Sequence, residues 1–507
     1  MRNLWSLGCL ALFVSLLSSQ VHGQALSGSY TIDPLGNGSR NFASLQEAAD
    51  SLLARGVSGA VVFQISAGTY AGPITFKEVK GASSIHTITF RSPGVDSTQI
   101  TVSGTNAAIT LDGASFYRFE NIDINDTEGR GMGILFTGAA DSNVIKECRI
   151  RVSGLRDDGI HLVMGSIDNG QLVEENSGNA NLISNCEMTG GRTGCHILGD
   201  TVNNCSANKL VGNRIEVSKA GIIAHHQDQL FIEGNLISST GSTLNYALLA
   251  QSCNSARVEF NRFLSGSLSF IDVSHRVGAS TGPSRALNNM CFLTGPFSLW
   301  QCDDFIVWHN TLYSNESGVL NLKSTDGLDI RNNIVFYDGI DYALVADSNC
   351  SFSKFDYNNY WATQGNVASI AGKRYSTTIA LKAYQPSFNQ NNWAKNPDFV
   401  SLASKNLRVG NKFPSLFAPY LGIDKDIDGD SRCSIQATIG CDEAKHSIFP
   451  PRANFAISDT LWKGSNSVAI NGASPNLASR VFWFVNGKFV MDSFHMQYVP
   501  TRLGYDT

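Results

Sequence analysis

The chain of 507 residues is short of charge. Aspartate, glutamate, lysine and arginine make up only 16% of it, and the net charge of −5 gives no basic excess of the kind that binds nucleic acid. Nucleic acid is therefore excluded as an expected partner. A sustained helical period is also missing, and so is the strict leucine scaffold of leucine-rich repeats.

Only one segment is apolar enough to suggest a membrane, and it lies at the N-terminus. Arg2 precedes an apolar run over residues 4–17, and residues 21–23 form a plausible small-residue cleavage site. We therefore predict that residues 1–23 are a signal peptide. Since no second apolar stretch approaches 18 residues, we expect no membrane span in a mature chain that is secreted or held at the cell surface.

What the chain does have is a short phrase that recurs from residue 119 to residue 361. An asparagine, or a residue in its place, is followed by strand-forming apolar residues, as in Ile232-Glu-Gly-Asn-Leu-Ile. The markers recur in steps of 21 to 28 residues, at Asn185, Asn213, Asn235, Asn261, Asn289, Asn310, Asn333 and Asn359. Units of this length must stack to bury their apolar face, so the pattern predicts an all-β parallel β-helix with three short strands per coil. We place the asparagine at a turn, in a structural role.

The segment before the repeats predicts a cap over residues 24–56. Apolar residues such as Phe42, Leu45 and Leu52 mark one face of a helix within residues 42–55, and residues 61–65 follow as a first buried strand. A solenoid needs such a cover because its open end exposes unpaired strand edges and an apolar core.

These stretches carry a resemblance to a known group. Tyr30-Thr-Ile-Asp-Pro, Phe42-Ala-Ser-Leu-Gln-Glu-Ala and residues 59–70 resemble the start of right-handed parallel β-helix (pectin-lyase-like) proteins in large bacterial surface polypeptides, and Asp424-Lys-Asp-Ile-Asp-Gly-Asp-Ser-Arg with Ile439-Gly-Cys-Asp-Glu is similar to their closing motif. The resemblance implies a right-handed parallel β-helix over residues 57–445. It does not imply one activity, because the group contains lyases, hydrolases and adhesins.

The residue pattern of the sequence changes at Pro450. Strand-like phrases, and an Asn-Gly turn within residues 481–490, resemble a PKD-type immunoglobulin-like module over residues 450–507. This is shorter than a β-sandwich of that kind requires. We therefore expect a partial β-sandwich, and a monomer within a longer multi-domain chain.

Polar residues in the strands that follow the markers predict a lateral site. Aligning Gly159-Ile-His-Leu with Gly194-Cys-His-Ile places His161 and His196 outward on adjacent coils, because side chains alternate along a strand. The insertion at residues 166–180 is expected to border this face. The candidate catalytic residues are Asp157, Asp158, His161 and His196, and the candidate substrate-binding residues are Arg192, His225, His226, Asp272, His275 and Arg276.

This ribbon fits more than one chemistry. A hydrolase would need two carboxylates at a defined separation, and a lyase would need a base near a cation that stabilises an enolate-like anion. Outward polar residues that are simply solvated are the alternative. We expect the partner to be a polysaccharide or cell-surface glycan that is bound without catalysis, by an adhesin or carbohydrate-recognition scaffold. The second hypothesis is a polysaccharide lyase or glycosidase, and the third is a structural stalk.

One acidic turn is a candidate metal site. Asp424, Asp426 and Asp428, followed by Gly429, match the first half of a calcium loop, but Ile435 stands where the bidentate acid belongs. The pattern fits either calcium or an acidic turn that ends the solenoid.

Cysteine spacing gives a test of the coil register. Four cysteines each lie eight residues before an asparagine at or beside a marker position, in alternate coils, so we predict that they are buried and unpaired: Cys205, Cys253, Cys302 and Cys350. Cys148 and Cys186 lie in consecutive coils and either bond or stack. Cys433 and Cys441 are the best disulfide candidates in an exported protein.

Overall fold

The computed structural model describes residues 24–96, 98–102, 107–126, 131–152, 159–168, 171–241, 243–273, 282–316, 318–387, 389–410 and 416–443, and the backbone of five strands beyond residue 450. Residues 1–23, for which a signal peptide is predicted, lie outside the described residues. So do four of the candidate site residues: Asp157, Asp158, His275 and Arg276.

Three long sheets wind together as a parallel β-solenoid of about 11 turns, so the predicted all-β parallel β-helix is confirmed. The chain passes from sheet A to sheet B to sheet C in each coil. Sheet A contains Leu26–Ile32, Asn41–Phe42, Val57–Ile65, Ile88–Arg91, Tyr117–Glu120, Val144–Lys146, Leu182–Ser184, Lys209–Val211, Phe231–Glu233, Arg257–Glu259, Arg285–Leu287, Ile306–Trp308, Leu328–Arg331 and Phe352–Asp356.

The other two sheets follow the same order along the axis. Sheet B contains Gly68–Ala71, Thr98–Val102, Asp123–Asp126, Arg149–Val152, Glu187–Gly190, Arg214–Val217, Leu236–Ser239, Arg262–Phe263, Met290–Leu293, Thr311–Ser314, Ile334–Tyr337 and Asn359–Ala362. Sheet C contains Ile74–Lys77, Ala107–Asp112, Met132–Thr137, Ile160–Met164, Thr193–Leu198, Ala220–His225, Tyr246–Gln251, Ser267–Ile271, Phe297–Trp300, Leu320–Lys323, Tyr342–Ala346, Asn366–Ile370 and the antiparallel Lys373–Tyr375.

Short elements lie outside the three sheets. They are the strand pairs Ser166–Asp168 with Gln171–Val173, Cys205–Ser206 with Gln227–Asp228, Phe399–Ser401 with Asn406–Val409, and Phe417–Pro419 with Gln436–Thr438, and the short helix Thr378–Leu381. Beyond residue 450, Asn454–Ile457, Val468–Ala473 and His495–Tyr498 form one antiparallel sheet, and Phe482–Val485 pairs with Lys488–Asp492. No helix in the described part of the chain is long and apolar enough to cross a membrane.

The bore of the solenoid is filled by side chains. Phe63, Phe90 and Phe119 stack in consecutive coils of sheet A, with ring centroids 4.7 and 5.4 Å apart. All three are fully buried. Any chemistry must therefore take place on the outer faces.

The asparagine repeat is an internal hydrogen-bonded ladder at the corner between sheets A and B. Each amide oxygen accepts from the backbone N–H of the preceding rung, as in Asn235 N to Asn261 Oδ1 at 2.9 Å. A positive φ is found at the residue before the asparagine, as at Phe260 with φ of 58°. The ladder contains Asn358 rather than the predicted Asn359. At its other end, Asn213 accepts a hydrogen bond from the backbone N–H of Cys186, so the predicted marker Asn185 is not the residue that pairs with it. Its members are Asn213, Asn235, Asn261, Asn289, Asn310, Asn333, Asn358 and Asn392.

The helix Leu45–Arg55 follows the short strand that contains Phe42. Ser44 accepts a hydrogen bond from the backbone of Glu47, whose carboxylate accepts one from Ala43, so the first turn is capped in both directions. Gly56 ends the helix with φ of 68°, a conformation that favours glycine.

The parallel coils end at Ile370, short of the predicted limit at residue 445. The closing segment, residues 389–410 and 416–443, instead folds back on the outside of sheet B. There Leu407, Ile427 and Cys441 pack against Met290, Tyr313 and Phe336. This part of sheet B is consequently covered.

The predictions made for the cysteines are confirmed in part. Cys205, Cys253 and Cys302 are buried and free, and Cys350 is half-buried and free. Cys148 and Cys186 are free thiols in adjacent coils, so they stack rather than bond. The predicted Cys433–Cys441 disulfide is wrong, because both thiols are free.

Candidate functional site

Sheet C presents an outer face that is open over much of its length. At its N-terminal end the hairpin of Ser166–Asp168 and Gln171–Val173 folds over the sheet, and Leu172 packs against Leu135 and Val163. Further along, the outward side chains are half-buried or exposed: Ile223, His225, Leu249, Gln251, Ser269, Ile271, Ser298, Trp300, Asn321, Lys323 and Val345. The insertion thus borders the open face, as predicted.

His161 does not belong to this face, and its predicted outward direction is wrong. The side chain is fully buried, and its Nδ1 and Nε2 atoms lie 2.9 Å from the carbonyl oxygens of Thr193 and Thr189. Burial lowers the pKa of the imidazole. A buried histidine enclosed by backbone cannot reach a ligand on the outer surface.

The reason is local to the start of the sheet C strands. His161 stands at the register position of Gly194, because Ile160 pairs with Thr193 and Leu162 with Cys195. A Cβ atom on Gly194 would lie 2.4 Å from the Cγ2 atom of Ile215, a core residue, so this position faces the bore. The simple alternation rule does not hold there.

Two other histidines flank one carboxylate, and a third lies beside them. Glu174, which follows the hairpin, lies 3.1 Å from Nδ1 of His225 and 3.5 Å from Nε2 of His226. The ring of His196 is nearly perpendicular to that of His225, with centroids 6.2 Å apart. Burial, followed by the charge of His225, lowers the pKa of His196 to about 4, although Glu174 opposes the shift. We call these four residues the histidine cluster.

The histidine cluster is better suited to a structural role, in which it fixes the hairpin against sheet C, than to proton transfer. The Nε2 atom of His225 is enclosed and has no hydrogen-bond partner among the described residues. A general base must reach the proton that it removes. Within the described residues of the cluster, Glu174 is the single carboxylate, whereas glycoside hydrolysis usually requires two.

A single column of outward residues continues from the histidine cluster along sheet C. His225 pairs in register with Gln251, which pairs with Ile271, then Trp300, then Lys323. We call these five residues the sheet C track. Three coils separate His225 from Trp300, which corresponds to roughly 14 Å at the usual strand spacing.

Trp300 is the residue that sequence reasoning missed. The residue is 42% exposed, and Nζ of Lys323 lies 4.7 Å from the centroid of its ring. The signal was present in Phe297-Ser-Leu-Trp, where Phe297 and Leu299 face inward and the other two residues face outward. Alternation in this strand therefore identifies the tryptophan as a surface residue.

The remaining predicted residues lie apart from the histidine cluster. Asp272 is exposed in the turn after Ser267–Ile271, where its carboxylate accepts a hydrogen bond from the hydroxyl of Ser252 at 3.1 Å. Arg192 is half-buried in the turn before Thr193–Leu198, at the opposite end of that strand from the cluster. The structure thus brings together His196, His225 and His226 alone among the described candidates.

The carboxylates of the acidic turn accept hydrogen bonds from neighbouring residues of the closing segment. Asp426 accepts hydrogen bonds from the backbone N–H of Asp428, at 2.9 Å, and of Glu443, at 2.8 Å. Asp428 accepts one from Nε of Arg408 at 2.6 Å, and Asp424 accepts one from a tyrosine hydroxyl. The described residues contain no group of three histidine, cysteine, aspartate or glutamate side chains placed to hold a metal ion. The geometry therefore favours the acidic-turn hypothesis over calcium.

Comparison with known proteins gives remote likenesses. No protein-family model matches the chain, and no curated protein matches its sequence. Among solved structures, the pectate lyase Pel9A is 14% identical with a TM-score of 0.41, over 83% of this chain and 98% of that one. The GH136 lacto-N-biosidase from Eubacterium ramulus is 11% identical with a TM-score of 0.43, over 73% of this chain and 67% of that one. A mannuronic acid specific family 6 lyase from human gut microbiota is 12% identical with a TM-score of 0.37, over 75% and 89%. Such remote likenesses carry no argument about activity, which must rest on the chain's own residues.

Proposed function

We propose that this protein binds a polysaccharide along the sheet C track without cleaving it. The observation that carries the proposal is the exposed ring of Trp300 in one register column with Gln251 and His225. Tryptophan is enriched at interaction surfaces, because its ring supplies a large apolar area and its N–H group a hydrogen-bond donor. Its flat apolar surface suits the C–H face of a sugar ring.

Polar groups around the ring suit the hydroxyls of the same ligand. Ser298 and Asn321 stand in the neighbouring outward column, and Lys323 lies at the end of the track. Carbohydrate sites combine an apolar platform with a few placed polar groups. Because parallel strands repeat at a fixed spacing, an extended polymer that runs along the solenoid can contact the track on successive coils.

The second candidate function is a polysaccharide lyase or glycoside hydrolase. The observation that favours it is the hydrogen bond between Glu174 and His225, since a carboxylate that orients an imidazole is a common acid–base arrangement. The enclosed Nε2 atom of His225 argues against it, because the hairpin would have to move before a substrate could approach.

The proposal also concerns the export of the protein and the roles of its terminal segments. We propose that residues 1–23 direct secretion, that residues 24–56 cap the solenoid, and that residues 450–507 belong to a PKD-like or immunoglobulin-like module of a surface protein such as an adhesin. The exposed track is compatible with that role, because it offers a lateral face to a glycan.

The experiment is affinity electrophoresis in gels that contain neutral or acidic polysaccharides. The wild-type protein should be retarded by at least one polymer, and Trp300→Ala should lose most of the retardation. Trp308→Ala is the matched control, because Trp308 lies on sheet A with the guanidinium of Arg331 4.7 Å from its ring. Equal retardation of both variants would contradict the proposal.

The same polymers distinguish the second candidate function. New ultraviolet absorbance from unsaturated uronate ends would identify a lyase, and new reducing ends without that absorbance would identify a hydrolase. Retardation without either product is the result expected for a binding protein.

A further inference from the structure

A second pair of aromatic and cationic side chains lies on sheet C, towards the C-terminal end of the solenoid. Tyr342 begins the strand Tyr342–Ala346, and Arg374 lies on the antiparallel strand Lys373–Tyr375 that ends the sheet. The Cζ atom of Arg374 is 5.8 Å from the centroid of the Tyr342 ring, and its Nε atom donates a hydrogen bond to the tyrosine hydroxyl at 3.1 Å. These two contacts hold the ring and the guanidinium in one arrangement.

The pair can be reached from the outer side of the sheet. Arg374 stands opposite Ser369, whose neighbours Ala368 and Ile370 are buried in the core, so Arg374 and Ser369 belong to the outward positions. Arg374 is exposed and Tyr342 is half-buried. A guanidinium carries five N–H groups, and one of them bonds the tyrosine hydroxyl. The exposed guanidinium can therefore donate the others to a ligand.

The register of the strands gives the distance from this pair to Trp300. Trp300 pairs in register with Lys323 on the next strand. On that strand, Asn321 pairs with Val345, so the level of Trp300 is residue 347, five residues beyond Tyr342. Two coils correspond to about 10 Å along the solenoid, and five residues of a strand correspond to about 16 Å across it. Trp300 and Tyr342 are therefore about 19 Å apart, on a diagonal of the open face.

We propose that Tyr342 and Arg374 form a second subsite for the glycan, so that a chain bound along the sheet C track continues from Trp300 across the sheet to Tyr342. This inference rests on the function proposed for the track. Ser298 and Asn321, both half-buried in the neighbouring outward column, lie on the face between the two subsites. Their hydroxyl and amide groups can bond sugar hydroxyls along that path.

Two subsites at this distance make binding depend on the length of the glycan. A chain long enough to contact both Trp300 and Tyr342 makes its second contact at a high effective concentration, whereas a sugar too short to span about 19 Å gains nothing from the second subsite. The contact between Tyr342 and Arg374 fixes the ring beforehand, which reduces the entropy that is lost on binding. A longer oligosaccharide should therefore bind more tightly than a disaccharide.

The test is isothermal titration of the full chain with the disaccharide and the octasaccharide of xylan, arabinan or polygalacturonate, chosen by which polymer retards the wild-type protein in a gel. The wild type should prefer the octasaccharide. In Tyr342→Ala the ratio of the two affinities should fall at least fivefold, while the disaccharide, bound at Trp300, keeps its affinity. Tyr420→Ala is the matched control, because Tyr420 is a half-buried tyrosine of the closing segment, with its hydroxyl bonded to Asp424.

A second variant guards against a local disturbance by Tyr342→Ala. Arg374→Met changes an exposed residue, keeps much of its length and removes its N–H groups, so it should also lower the ratio of affinities. If a polymer retards the wild type but both variants keep the wild-type ratio, the second subsite is refuted and the function proposed for the track stands. Loss of disaccharide binding in Tyr342→Ala would contradict two separate subsites. If no polymer retards the wild type, the proposed function fails and the second subsite fails with it.

Discussion

Replacing one rung of the asparagine ladder should destabilise the solenoid strongly. Asn261 is fully buried, and its Nδ2 atom donates to the carbonyl oxygens of Ile232 and Glu259, each at 2.9 Å. Its Oδ1 atom accepts from the backbone N–H and the Nδ2 atom of Asn235, at 2.9 and 3.0 Å. Asn261→Ala removes these bonds and leaves buried groups on both neighbouring coils without partners.

The magnitude follows from those orphaned groups. Each buried donor or acceptor left unsatisfied costs about 1–3 kcal/mol, and at least two are created, so we expect Asn261→Ala to lower the free energy of unfolding by about 3–5 kcal/mol. Urea unfolding followed by circular dichroism measures the change. Asn321→Ala is the control: its side chain lies on the outer face of sheet C, and surface substitutions usually change stability by less than about 0.5 kcal/mol. If the two variants unfold at the same urea concentration, the ladder does not stabilise the fold as argued.

Three further outcomes are expected. Burial lowers the pKa of His196 in the folded protein to about 4, below the ordinary histidine value of 6.5. Stability is therefore lost as the pH falls from 6.5 through 4, by at most about 3 kcal/mol, and His196→Gln should flatten that part of a pH–stability curve. Gly194→Ala should lower the unfolding free energy by about 1–3 kcal/mol, because the added Cβ would lie 2.5 Å from a carbonyl oxygen, whereas Gly282→Ala, with open space around it, should not. Iodoacetamide should label the half-buried Cys433 in native protein and leave the buried Cys253 unmodified until urea is added, as peptide mass mapping would show; equal labelling would contradict the coil register.

The fold was predictable because its signals are local and repeated. The spacing of markers such as Asn213 and Asn235 shows the length of a coil, and the cap is indicated by the apolar face of a single helix. The last marker was predicted one residue too late, at Asn359 instead of Asn358. This error does not change the inferred coil length, because it alters the spacing by one residue only.

The site was less predictable, because it depends on a break in the alternation of side chains along a strand and on contacts between residues that are far apart in the sequence. His161 breaks the alternation at a bend where the preceding and following coils carry glycine. Glu174 and His225 are 51 residues apart, and Arg262 and Asp428, which help hold the closing segment, are 166 apart. No local pattern in the sequence specifies such pairs.

The most direct test of the central claim is hydroxyl-radical footprinting of the full chain with and without a polysaccharide that retards it in a gel. Oxidation of Trp300 is read by mass spectrometry beside that of Trp308, which lies on sheet A. Binding along the sheet C track predicts that the polymer protects Trp300 several-fold and leaves Trp308 unchanged. Oxidation of Trp300 at the same rate under saturating polymer would show that the glycan binds elsewhere.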